Sequence, residues 1–89
     1  MKLVINSCYG GFGLSDKGLQ MLGIEDEYDL ERNDPKLVEV VETLGKEANS
    51  EFAELEVVEL PEDTTDYSIM EYDGLETVVY VVNGKLHWA

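Results

Sequence analysis

Tyr67-Ser68-Ile69-Met70-Glu71-Tyr72-Asp73-Gly74-Leu75-Glu76-Thr77-Val78-Val79-Tyr80-Val81-Val82-Asn83-Gly84-Lys85-Leu86-His87-Trp88 is the stretch whose reading decides the fold. Asp73-Gly74 and Asn83-Gly84 are two-residue turn signals flanked by β-branched and aromatic residues, the strongest short-range mark of a β-hairpin. The stretch therefore predicts strands over 67–72 and 75–82, with a last short strand after Asn83-Gly84. On the strand over 75–82, Leu75, Thr77, Val79 and Val81 share one face, and Val78 and Tyr80 share the other.

Working back toward the N-terminus, Pro61 to Asp66 is a polar loop, and 54–60 is a strand with Leu55 and Val57 on one face and Val58 and Leu60 on the other. A bulge near Val57-Val58, or burial on both sides, accounts for that pattern. Asn33-Asp34-Pro35 starts a helix, because Asp34 caps it and proline suits the first helical position. Leu37, Val40, Val41 and Leu44 recur at helical spacing, and Ala48 continues the stripe past Gly45 to about Asn49. Residues 24–34 read as a solvated acidic loop. A shorter helix is predicted from Asp16 to Leu22, capped by Ser15 and stopped by Gly23, with Leu14 and Leu19 spaced as a hydrophobic staple. Residues 2–7 form a first strand. The order is β-α-α-β-β-β, which predicts an α+β fold: a small, mostly antiparallel sheet with two helices on one face.

Two helices do not cover both faces of a four-stranded sheet. Strand 1, with Leu3 and Ile5 against Val4, and strand 75–82 are apolar on both sides, so an apolar face should be left open. Such a face marks an interface, and a homo-oligomer or docking on another protein is the expectation.

Composition narrows the function. The chain has 89 residues, 20 Asp and Glu against 6 Lys and Arg, a net charge of −14, and 44% apolar residues. A single domain is expected at this length. Direct nucleic-acid binding needs a cationic face and is excluded, and an anionic membrane is disfavoured for the same reason. The lone Cys8 forms no internal disulfide, which fits a reducing cytosol. No apolar run reaches the length of a membrane span, and Met1 to Asn6 is too short and too soon interrupted for a signal peptide. A cytoplasmic protein is the expectation.

The acids are themselves a candidate site. Glu25, Asp26, Glu27, Asp29 and Glu31 crowd one segment, Glu39 and Glu42 lie on the long helix, and Glu54 and Glu56 on a strand. Such a surface offers a basic nucleic-acid-binding protein a field like that of duplex DNA, with about one charge per 1.7 Å. The alternative is that acidity only keeps the chain soluble. No EF-hand spacing is present in 25–31 or 61–66, and no metal or other cofactor is expected.

The second candidate is the turn Tyr9-Gly10-Gly11-Phe12-Gly13 with Ser15. A strand–glycine loop–helix unit aims N–H groups at an anion, so these six residues could hold a small, nucleotide-like ligand, with Lys17 and Arg32 the nearest cations in sequence. The turn is neither a phosphate-binding P-loop nor a dinucleotide fingerprint. The plainer reading is a tight turn whose glycines supply positive φ. Tyr9 and Phe12 could stack on a flat ligand, serve as interface anchors or simply fix the turn. Cys8 and His87 would meet as nucleophile and base only if their strands were neighbours. No catalytic residues are assigned, and a non-enzymatic role is expected.

Met1-Lys2-Leu3-Val4-Ile5-Asn6-Ser7-Cys8-Tyr9-Gly10-Gly11-Phe12-Gly13-Leu14-Ser15 resembles the opening M-K-[IL]-V-I-N-x-C-Y-G-G-F-x-L-S of a family of short uncharacterised bacteriophage and prophage proteins. The resemblance continues through Glu31-Arg32-Asn33-Asp34-Pro35, Leu37 to Gly45, Ala48-Asn49, Phe52 to Leu55, Val57 to Pro61 and Glu71 to Gly74. It departs after Gly74, where the family runs to a shorter charged tail. The resemblance implies a phage-encoded accessory protein in the bacterial cytoplasm, working against host defence by occupying a nucleic-acid-binding protein or by sequestering a nucleotide signal. It carries no catalytic residue.

Overall fold

A computed structural model describes all 89 residues. The α+β class and the element order hold: β1 (Lys2–Asn6), α1 (Asp16–Leu22), α2 (Pro35–Leu44) with a 3-10 turn (Gly45–Ala48), β2 (Leu55–Glu59), β3 (Thr64–Tyr72), β4 (Leu75–Val82) and β5 (Lys85–Trp88). The local signals act where they stand. Ser15 Oγ accepts from Gly18 N at 3.1 Å to start α1, and Gly23 ends it in the left-handed region. Asp34 Oδ1 accepts from Lys36 N at 2.8 Å ahead of Pro35. Beyond Leu44 the long helix continues as 3-10, not α, because Gly45 has left the helical region. Asp73 and Gly74, and Asn83 and Gly84, all have positive φ, as two-residue hairpin turns of the right twist require.

The strands form two sheets, where the sequence reading expected one. β1 pairs antiparallel with β2, Leu3 opposite Val58 and Ile5 opposite Glu56, and β3-β4-β5 form a separate antiparallel meander. The molecule is therefore layered as helices, then β1-β2, then β3-β4-β5. On one face of the small sheet, Val4 joins Leu14, Leu37, Val38, Val41 and Ala48, with Leu55 and Val57 against them. On the other, Leu3, Ile5 and Leu60 meet Val78, with Val58, Ile69, Tyr67 and Tyr80 around them. This explains the two-faced pattern of β1 and β2: both strands are covered on both sides, and their pairing runs without a bulge. Each fully buried Leu or Val contributes about 1.5–3 kcal/mol, so β1 anchors two small cores at once. The open face expected of the first sheet is closed by the second. An open face exists elsewhere, on the far side of β3-β4-β5.

No helix is long and apolar enough to cross a membrane.

Candidate functional site

β1 ends at Asn6, and the main polar structure of the molecule is built there. Asn6 is fully buried at the point where β1, the glycine turn, the start of β2 and the β3–β4 hairpin converge. Its Nδ2 donates to the Cys8 and Gly74 carbonyls, both at 2.7 Å, and its Oδ1 accepts from Glu54 N at 2.7 Å. Its backbone N–H donates to Glu76 Oε1 at 2.8 Å. Glu76 is itself buried on β4, and both its oxygens accept from Arg32, Oε1 from Nη1 at 2.5 Å and Oε2 from Nη2 at 2.7 Å. Arg32 also donates from Nη1 to Val4 O at 3.3 Å, its carbonyl accepts from Val4 N at 2.9 Å, and its guanidinium lies 3.7 Å above the Phe12 ring. The open edge of β1 is thus satisfied by the Arg32 main chain and by the forked ion pair that joins Arg32 to Glu76. A bidentate Arg–carboxylate pair with its remaining groups bonded is the form in which a buried charge is tolerated.

The glycine turn packs against this knot. A Cβ on Gly10 would overlap the Phe52 carbonyl, and a Cβ on Gly74 would press on Tyr9 O and Gly11 N. Among Gly10, Gly11 and Gly13, only Gly11 has positive φ, so close approach of backbones, more than turn geometry, accounts for the glycines. Gly13 O accepts from Ser50 N, and Ser15 Oγ caps α1 while donating to Glu47 O at 2.6 Å. Leu14 N donates to Glu27 Oε1 at 3.4 Å, so a carboxylate of the chain already stands at the turn. Phe12 is held beneath Arg32, and Tyr9 is exposed. Both cations nearest in sequence are taken: Arg32 by Glu76, and Lys17 by Glu47 at 3.5 Å. None of the three surface depressions is lined by residues 9–15.

Cys8 and His87 stay apart in the architecture. β1 pairs with β2 and not with β5. Cys8 Sγ donates to Phe52 O at 3.2 Å, near the hairpin turn, whereas His87 stacks on Tyr80 with ring centroids 5.3 Å apart. Nucleophile and base are not brought together. No group of three or more His, Cys, Asp or Glu side chains is placed to hold a metal ion.

Of the acidic residues, Glu25, Asp26, Asp29, Glu31, Glu39, Glu54 and Glu56 are exposed and have no cation of the chain within ion-pair distance. Glu42 pairs with Lys2 at 2.8 Å, an interaction that raises the lysine pKa through the hydrogen bond first and the charge second. Glu27 is half-buried against the glycine turn. The 25–31 segment leads directly into α2, whose solvent side carries Glu39 and Glu42. Glu25, Asp26 and Asp29 rim a shallow depression floored by Ile24 and Leu30.

Sequence reasoning missed Asn6 and Glu76, which organise the whole junction. The available signals were an Asn closing an apolar strand and a lone Glu in an apolar run. No family model, curated protein or solved structure matches the chain.

Proposed function

We propose that the chain is a non-enzymatic binding protein, a bacteriophage-encoded accessory protein of the bacterial cytoplasm that engages a basic, nucleic-acid-binding host protein and so counters a host defence. The observation that carries this reading is the set of seven exposed carboxylates with no ion-pair partner in the chain, five of them on the 25–31 segment and α2 and two, Glu54 and Glu56, at β2. Unpaired surface acids in a molecule of net charge −14 project a field that steers a cationic partner. The phage origin rests on the resemblance of residues 1–15 and of the segments that follow. Ligand capture by Tyr9 to Ser15 is the weaker reading, because Glu27 opposes any anion at that turn.

The test is capture of partners from bacterial lysate by the immobilised chain, followed by a salt titration. A basic partner should be retained at low salt and released as the Debye length shrinks to a few ångströms. A variant with Glu25→Lys, Asp29→Lys and Glu39→Lys should lose that partner and still melt as a folded protein. Equal capture by the charge-reversed variant overturns the proposal. A thermal-shift screen with nucleotides should leave the melting temperature unmoved, and a clear upward shift would favour the turn instead.

A further inference from the structure

Strand alternation sends Tyr67, Ile69, Val78 and Tyr80 inward onto β1-β2. The same alternation sends Met70, Tyr72, Val79, Val81, Leu86 and Trp88 to the far side of β3-β4-β5, where nothing covers them. Met70 is 53% exposed, Leu86 66%, Trp88 65% and Tyr72 72%. Ser68 and Thr77 complete the middle of the face, and Asp66 at one end is its single charge. A charge-poor face is notable in a chain with 20 acids among 89 residues.

We propose that this face is a two-fold interface between two copies of the chain. Area is the first argument. Tyr72 and Trp88, each about two-thirds exposed, with Met70 and Leu86 more than half exposed, put roughly 600 Å² of side-chain surface on this face, at about 150–250 Å² for each large aromatic side chain. Two such faces together bury about 1,200 Å², the lower edge of specific interfaces.

Charge is the second argument. Two molecules of net charge −14 repel wherever their acids meet, and this face is where they approach with almost none between them. A basic partner finds no carboxylate row to read here, whereas a second copy needs only a flat apolar sheet like itself. Sheets pack face to face about 10 Å apart in this way. The contact is independent of the acidic surface and leaves it free.

Trp88 is the sole tryptophan and lies on the face, so the molecule carries its own reporter. Sedimentation velocity and tryptophan emission are to be followed together across the micromolar range. The mass should rise from one chain to two, and the emission should shift to the blue along the same concentration curve. Salt should strengthen this dimer by screening the net charge, opposite to its effect on an acidic-surface partner. Leu86→Glu should raise the dissociation constant at least tenfold, about 1.4 kcal/mol, because the two-fold axis presents the new charge twice. Met21→Glu, also at an exposed apolar residue but on α1, should leave association unchanged. A mass of one chain at the highest concentration overturns the proposal. So does a dimer that forms with Trp88 emission unmoved or that ignores Leu86→Glu, since either places the contact elsewhere. The triple charge reversal of the acidic surface should leave dimerisation intact, so failure of one proposal does not decide the other.

Discussion

Strand β1 is walled on both sides, by α2 across one face and by β4 across the other, whereas β4 is walled on one side only. Both strands read as apolar runs, yet β1 needs a polar device to close its edge and β4 supplies it through Glu76. A strand inside the molecule must satisfy its backbone from whatever segment reaches it. A strand at the surface meets water and can leave an apolar face for another molecule. Burial in this small chain is thus shared chiefly between β1 and α2, and the outer sheet contributes one face to the core and one to the exterior.

The sharpest way to break that contrast is to remove the device. Glu76→Ala leaves the Arg32 guanidinium without its partner and the Asn6 N–H unsatisfied, and should cost about 3–5 kcal/mol in urea unfolding. A loss below about 1 kcal/mol would mean that water closes the edge of β1 equally well. Next comes the helix-side wall. Leu37 is fully buried against Val4, and Leu37→Ala should cost about 3 kcal/mol. The unfolding should remain a single transition, because β1 belongs to both cores. Two separated transitions would show that the layers melt independently. Smaller again, Gly10→Ala forces a methyl against the Phe52 carbonyl, and the backbone shift should cost about 1–3 kcal/mol. The same change at Gly84, in a left-handed turn with open space around it, should cost about 1 kcal/mol.

The smallest effect is electrostatic. Lys2 lies on the surface with its pKa raised by Glu42. A raised lysine pKa favours the folded state fully below the ordinary lysine value, and the benefit fades as pH climbs through the folded-state value. Lys2→Met should therefore lower the melting temperature slightly near neutrality, where the benefit is complete, and the difference from the parent chain should close as pH climbs through the lysine value. No difference near neutrality, and none closing above pH ~10, would show the pair to be energetically silent.

Much of this contrast was legible in residues. Asp73-Gly74 and Asn83-Gly84 fixed the meander, and Ser15, Gly23, Asp34 and Pro35 fixed the helices, because each acts within four residues of itself. The division into two sheets was not legible. It depends on whether the two-faced strand β1 pairs with its neighbours or is covered by them, and periodicity does not separate those cases. The acids at 25–31 were correctly placed in a loop, but Glu27 turned toward the glycine turn while its neighbours faced solvent. Arg32, read as a cation for a ligand, found Glu76 across 44 positions of sequence. Pairings over such distances follow from the fold, and the fold was what remained to be found.

The pairing of β1 with β2 also sets an order in time. Lys2 must wait for Glu59, whereas Tyr72 meets Leu75 across two residues. Local hairpins close in about 1–10 μs, and long loops close later at an entropic cost that grows with their length. The outer meander should therefore fold first and serve as the floor on which β1 settles. Val79→Ala, on that meander, should then slow refolding, and Val4→Ala should chiefly speed unfolding. The first strand along the chain would be the last to find its place, guided there by the carboxylate of Glu76.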